Sequence, residues 1–222
     1  MNTLKPYVWA LSLSVLSSGA AWAASDANLA VSATVIPAAC NVALNNNGHF
    51  DFGNTYASQI KRTETTLLTP IETELRVQCA GPTLVALTMD FNDMDSQVPI
   101  NLPSYGGTGI YPERIVSGLG YAGGVKIGGY MAELKPTGTT DAGNLLSVTV
   151  SQNAQAWDIS GSKRFSEVNF ISFSDVGAAA PVPISDLTGI LRVSAGIAAD
   201  QGLVFEDEIT FEASSVLQLM YL

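Results

Sequence analysis

Histidine is nearly absent from this chain. His49 is the only one in 222 residues, and only two cysteines, Cys40 and Cys79, accompany it. That scarcity removes the usual material for an imidazole base, a reactive thiolate or a His/Cys metal set. His49 itself lies in a turn-flanking HFDFG segment and reads as a loop residue, not a catalytic one. Basic residues are also few, ten Lys and Arg against twenty Asp and Glu. Nucleic acid is therefore excluded as a partner, because its phosphates need the opposite sign. The sequence has no Gly-rich phosphate loop, CxxC pair or Asn-x-Ser/Thr sequon, and no window carries a capped helical stripe. Asp90, Asp93 and Asp95 in DFNDMDS offer oxygen ligands for calcium but lack the EF-hand spacing and its glycine. Glu206-Asp207-Glu208 reads as a solvated turn. No metal, no cofactor and no enzymatic activity are expected.

The N-terminus is organised for export. Lys5 supplies a positive start, Tyr7 to Leu16 an apolar stretch, and Ala21-Trp22-Ala23 a small-x-small cleavage site, the layout of a signal peptide over 1–23. The apolar stretch is far short of the ~20 residues that span a bilayer. Cleavage after Ala23 would leave nine basic against twenty acidic residues, a formal charge of −11. In an oxidising compartment the two cysteines are expected to form a disulfide, closing a loop of about 40 residues and contributing roughly 4 kcal/mol.

Beyond the signal the pattern is one of strands. Gly, Ser, Thr and Val are frequent, and only 14% of residues are charged. In ASDANLAVSATVIPAAC, Ala27, Leu29, Val31, Ala33 and Val35 alternate with mostly polar neighbours, and Pro37 separates this strand from the body. NNNG at 45–48 predicts a turn and His49 to Gly53 a short strand. In TTLLTPIETELRVQC, Ile71, Thr73, Leu75, Val77 and Cys79 face one side and Glu72, Glu74, Arg76 and Gln78 the other. Gly81-Pro82 then predicts a turn into Leu84 to Phe91, read as the hairpin partner of that strand. Asn92 to Gly124 is rich in Gly, Pro and Ser and reads as a long surface connection with one short strand at most. Further strands are expected in 125–134, 145–151, 164–173 and 187–197. The last stretch, Ile209 to Leu222, puts Ile209, Phe211, Ala213, Leu217, Leu219 and Tyr221 in one stripe broken by Ser215. At about 3.3 Å per residue it would span roughly 46 Å, so a bulge or kink is expected near Ser214-Ser215. These short strands with one disulfide indicate an all-β, immunoglobulin-type sandwich.

An alternating strand before the first cysteine, a disulfide of this span and a terminal strand with a penultimate tyrosine together resemble the pilin subunits of chaperone–usher fimbriae. The matching pieces are LAVSATVIPAAC (29–40), ETELRVQC (72–79), VKIGGYMAEL (125–134) and ASSVLQLMYL (213–222). TVIPAAC with the final L-x-L-x-Y-L is similar to a subgroup of fimbrial-like exported proteins carried as a domain of unknown function. The resemblance implies an incomplete immunoglobulin-like sandwich over 37–222 that lacks its last strand and is completed by donor-strand complementation. Phe211, Ala213, Leu217, Leu219 and Tyr221 would wall the acceptor groove. Ala27, Leu29, Val31, Ala33 and Val35, in an N-terminal extension over 24–36, would be the donor side chains. Implied partners are a periplasmic fimbrial chaperone, an outer-membrane usher and neighbouring pilin subunits, in a fimbrium on the surface of a Gram-negative bacterium that supports cell adhesion. Ala33 stands where many pilins have glycine, and Ile209 stands where they often have one fourteen residues from the end. An alternative expectation is a self-complete exported sandwich that binds a host glycan or surface receptor, with the Asn92 to Gly124 passage as its binding loop; separately, Trp157, Tyr105, Tyr111 and Tyr121 are aromatics that could stack on a sugar ring.

Overall fold

The computed structural model describes residues 39–105, 107–111, 116–159, 163–199 and 210–222. The predicted signal peptide, the Ala27–Val35 donor stripe and Glu206-Asp207-Glu208 lie outside these residues. Among the described residues there is no α-helix; the only helical pieces are single 3-10 turns at Asn45–Gly48, Ala57–Gln59 and Met94–Ser96. In the first of these Asn46, Asn47 and Gly48 all take left-handed backbone angles, which suits NNNG.

Two antiparallel sheets form the body. The first has the order β1 (Cys40–Leu44), β3 (Ile71–Thr83), β13 (Ile184–Ile197), β10 (Gly128–Thr137) and β7 (Ser117–Gly118), and β2 (Thr66–Leu67) also pairs with β13. The second has the order β11 (Leu146–Ser151), β12 (Phe170–Asp175), β4 (Val85–Phe91) and β14 (Ser215–Tyr221). The inward residues follow the period of two. Leu75 and Val77 of β3, Leu87 and Met89 of β4, Leu134 of β10, Ile171 and Phe173 of β12, and Leu191 and Val193 of β13 fill one core between the sheets. The outward residues of β3, Glu72, Arg76 and Gln78, are exposed. Cys40 and Cys79 stand directly opposite each other in the β1–β3 ladder and are joined as a disulfide.

Three expectations need correction. Leu84 to Phe91 does not form a hairpin with the preceding strand: β3 runs on to Thr83, and after Leu84 the chain crosses to the second sheet, where β4 pairs with β12 and β14. Val85, Leu87, Met89 and Phe91 are all buried, as suits an inner strand, and alternation alone does not say which sheet receives it. His49 to Gly53 is not a strand, because the Asp51 carboxylate accepts the Gly53 N–H (2.8 Å) and closes a tight side-chain turn. Phe50 and Phe52 nonetheless pack against the core.

The third correction concerns Asn92 to Gly124. It holds the hairpin of β5 (Ile100–Ser104) with β6 (Gly107–Tyr111), then β7 and β8 (Tyr121–Ala122), the last pairing with β9 (Val125–Lys126) just beyond the passage. Met131 points away from the main core, since its neighbours Tyr130 and Ala132 point into it. It is fully buried with Ile100, Leu102 and Val116 in a second cluster. The β5–β6 hairpin is therefore a third layer on the outer face of the first sheet. Gly196 permits the approach: a Cβ there would lie 2.8 Å from Thr65 Cγ2 and 3.0 Å from Leu102 Cδ2.

Candidate functional site

The first sheet ends in β1 and the second in β14, and among the described residues no strand pairs with the free edge of either. The two edges lie on the same side of the sandwich, because the Cys40 N–H donates to the Tyr221 hydroxyl across the gap (2.8 Å). Cys40, Val42 and Leu44 of β1 face the core, as do Leu217 and Leu219 of β14. All five are only half-buried, whereas the inward residues of the central strands are fully buried. Half-buried apolar side chains thus line two edge strands that, among the described residues, pair with no further strand on their outer sides, with the Cys40 N–H taken by the Tyr221 hydroxyl.

Each end of β14 is pinned. At its start the Asn92 N–H donates to the Ser214 carbonyl (3.2 Å), Asn92 Nδ2 donates to Ser214 Oγ (2.8 Å), and the Ser214 N–H donates to Asp93 Oδ2 (3.0 Å). The Tyr130 hydroxyl donates to the Ser214 carbonyl (3.1 Å) and makes a short bond with Ser215 Oγ. Burial raises the Tyr130 phenol above its ordinary pKa, so it stays a neutral donor. At the far end the Leu222 N–H donates to the Leu84 carbonyl (3.0 Å), beside the Tyr221 bond. These pins explain why the strand begins at Ser215: the Ser214 N–H turns to the Asp93 carboxylate, and its carbonyl is shared by the Asn92 N–H and the Tyr130 hydroxyl.

Among the predicted groove residues, Leu217 and Leu219 are half-buried on the core side of β14, and Phe211 packs half-buried against the core just before the strand. Ala213 is exposed in the non-strand segment. Tyr221 is 53% exposed, and its side chain reaches across the gap instead of filling the core. Ile209 lies outside the described residues. Sequence reading overlooked Val42 and Leu44, whose alternation in CNVAL was visible beside the cysteine. It also missed Tyr130 and Asp93, whose partner Ser214 is more than eighty residues away and leaves no local trace.

The other candidate groups are occupied elsewhere or dispersed. His49 is exposed beside its turn. Asp90 accepts from Gln218 Nε2 (2.5 Å) and Asp93 from Ser214, and among the described residues no three His, Cys, Asp or Glu side chains gather as a metal set. The Tyr121 hydroxyl donates to the Asp95 carbonyl (2.7 Å), and Trp157 is half-buried. Tyr105, at the tip of the β5–β6 hairpin, caps a row of alternating charge across the outer face of the first sheet. Arg164, Glu133, Arg192 and Glu72 are successive cross-strand neighbours in that row. The Tyr105 N–H donates to Glu133 Oε2 (3.1 Å) and its hydroxyl to Glu72 Oε1 (3.2 Å), while Arg192 Cζ sits 5.1 Å from its ring centre. Burial, then the Glu72 carboxylate, push the Tyr105 phenol up to about 12. Glu133 is 3% exposed, and burial raises its carboxyl despite the Tyr105 N–H and the nearby Arg164 and Arg192.

A protein-family model described as "Protein of unknown function (DUF1120)" matches residues 29–131. The match runs from the predicted donor stripe through the β5–β6 insertion to Met131 of β10, and it stops short of β14. No curated protein matches the chain.

Proposed function

We propose that this protein is a structural subunit of a chaperone–usher fimbria that polymerises by donor-strand exchange. The observation that supports the reading is that β1 and β14, neighbouring edge strands with no further partner strand among the described residues, carry inward apolar residues that are only half-buried. A slot between them suits β-augmentation, in which backbone hydrogen bonds hold an added strand and alternate side chains fill the gaps beneath it. The chain carries a segment of matching period, Ala27, Leu29, Val31, Ala33 and Val35, ahead of Cys40. In this reading a periplasmic chaperone first covers the slot, an usher directs assembly, and the extension of a neighbouring subunit replaces the chaperone at the cell surface. No cofactor and no catalysis enter.

The test uses the chain from Ala24, refolded with its disulfide, alone or with Leu29→Asp and Val31→Asp. The unaltered chain is expected to associate into chains of copies, and the double variant to stay monomeric because a buried unpaired carboxylate opposes insertion. A peptide copying Ser25 to Pro37 should bind the double variant and raise its melting temperature. A monomeric unaltered chain indifferent to the peptide would sink the proposal. In that case a glycan-dependent thermal shift would favour the adhesin alternative.

A further inference from the structure

We infer that Tyr221 is a stop that fixes how far an added strand can advance along the slot; the inference rests on the strand-insertion reading above. The need for a stop follows from length. β14 has 7 residues, so its ladder spans roughly 20 Å, whereas the nine residues from Ala27 to Val35 span roughly 27 Å when extended. The inserted stripe is longer than the strand that receives it. Several registers two residues apart would all present apolar side chains inward, because the side-chain period is two. Leu217 and Leu219 do little to choose between them, since the donor offers Ala, Leu, Val, Ala and Val.

The far end of the slot does choose. There the phenol of Tyr221 leaves the second sheet and ends 2.8 Å from the backbone nitrogen of Cys40 on the first. It occupies the gap that an advancing strand would need. It also uses the N–H of Cys40, which would otherwise be a free edge donor. Cys40 is a firm post, held opposite Cys79 by ladder and disulfide together. The backbone beyond Tyr221 is held as well, by the Leu222–Leu84 bond. A strand entering from the Ser215 end therefore pairs along β14 until it meets the phenol, and the surplus of the donor is left at the entrance.

The experiment maps register directly. A Ser25 to Pro37 peptide with a photo-activatable diazirine analogue in place of Leu29 is bound to the full chain from Ala24 carrying Leu29→Asp and Val31→Asp. Insertion sites on β14 are then located by mass spectrometry. With Tyr221 intact, cross-links are expected at one residue and its immediate neighbour. Tyr221→Phe keeps the ring but loses the bond to Cys40, and the preference for that register should fall roughly two- to tenfold as sites two residues away appear. Tyr221→Ala should spread the sites further. An identical single site in all three chains would overturn the inference while leaving strand insertion intact. Failure of the peptide to cross-link to the Tyr221 chain would remove the underlying reading and the inference with it.

Discussion

Glu133 shows how a single residue can run against the usual acid behaviour of proteins. Its carboxylate is buried beneath Tyr105, and the cost of stripping water from the charge outweighs the help from the Tyr105 N–H, Arg164 and Arg192, so its pKa is raised. A raised carboxyl contributes stability that is fully present below its ordinary value near 4.5 and is lost as pH climbs through the folded-state value. Lowering the pH from neutrality toward the carboxylate range should thus strengthen this site. Glu133→Gln keeps an acceptor for the Tyr105 N–H and removes the titration. Urea unfolding at pH 7 and pH 5 should show the native chain gaining stability relative to Glu133→Gln at the lower pH. A difference that is flat or reversed would show that the arginines, not burial, govern the group. Nothing in AELKPT marks Glu133 as buried, because its cover arrives from Tyr105, 28 residues upstream.

At the scale of elements, legibility followed the range of the interaction. β3, β10, β11 and β13 were read in nearly the right places because each carries its own alternation, and the all-β class followed from them. The pairing of β4 was misread because Leu84 sends it to the other sheet. The third layer was misread because Ile100, Leu102 and Val116 are punctuated by Pro and Gly and find their partner, Met131, only through the fold. β1 is the element most dependent on one covalent link. It has five ladder pairs, all to β3, and its other edge has no partner strand among the described residues. Replacing both cysteines by serine should cost up to about 4 kcal/mol in chemical unfolding, from the entropy of a loop closed across 39 positions. A loss under about 1 kcal/mol would mean that the ladder alone holds the strand.

The whole molecule is strongly acidic, with a formal charge of −10 that would become −11 on the expected removal of 1–23. If copies exchange strands as proposed, they must approach against mutual repulsion, which salt screens over a Debye length of about 10 Å at about 0.1 M. Association of the chain from Ala24, followed by light scattering, should accelerate several-fold between about 10 mM and about 300 mM sodium chloride. A rate that falls with salt would indicate that specific charge pairs, not apolar insertion, drive the encounter.

The β5–β6 hairpin covers part of one broad side of the sandwich. Over β10 and β13 the first sheet is roofed by Ile100 and Leu102 and bolted by Tyr105, so that part of its broad side is closed to lateral bundling. On the outer face of the second sheet Ala86, Thr149, Ser172 and Ser174 are buried too, and the edge strand β14 shows Val216 and Gln218 to solvent. If copies align side by side, the exposed strip along β14 is where their seam should run, which would make any bundle one-sided.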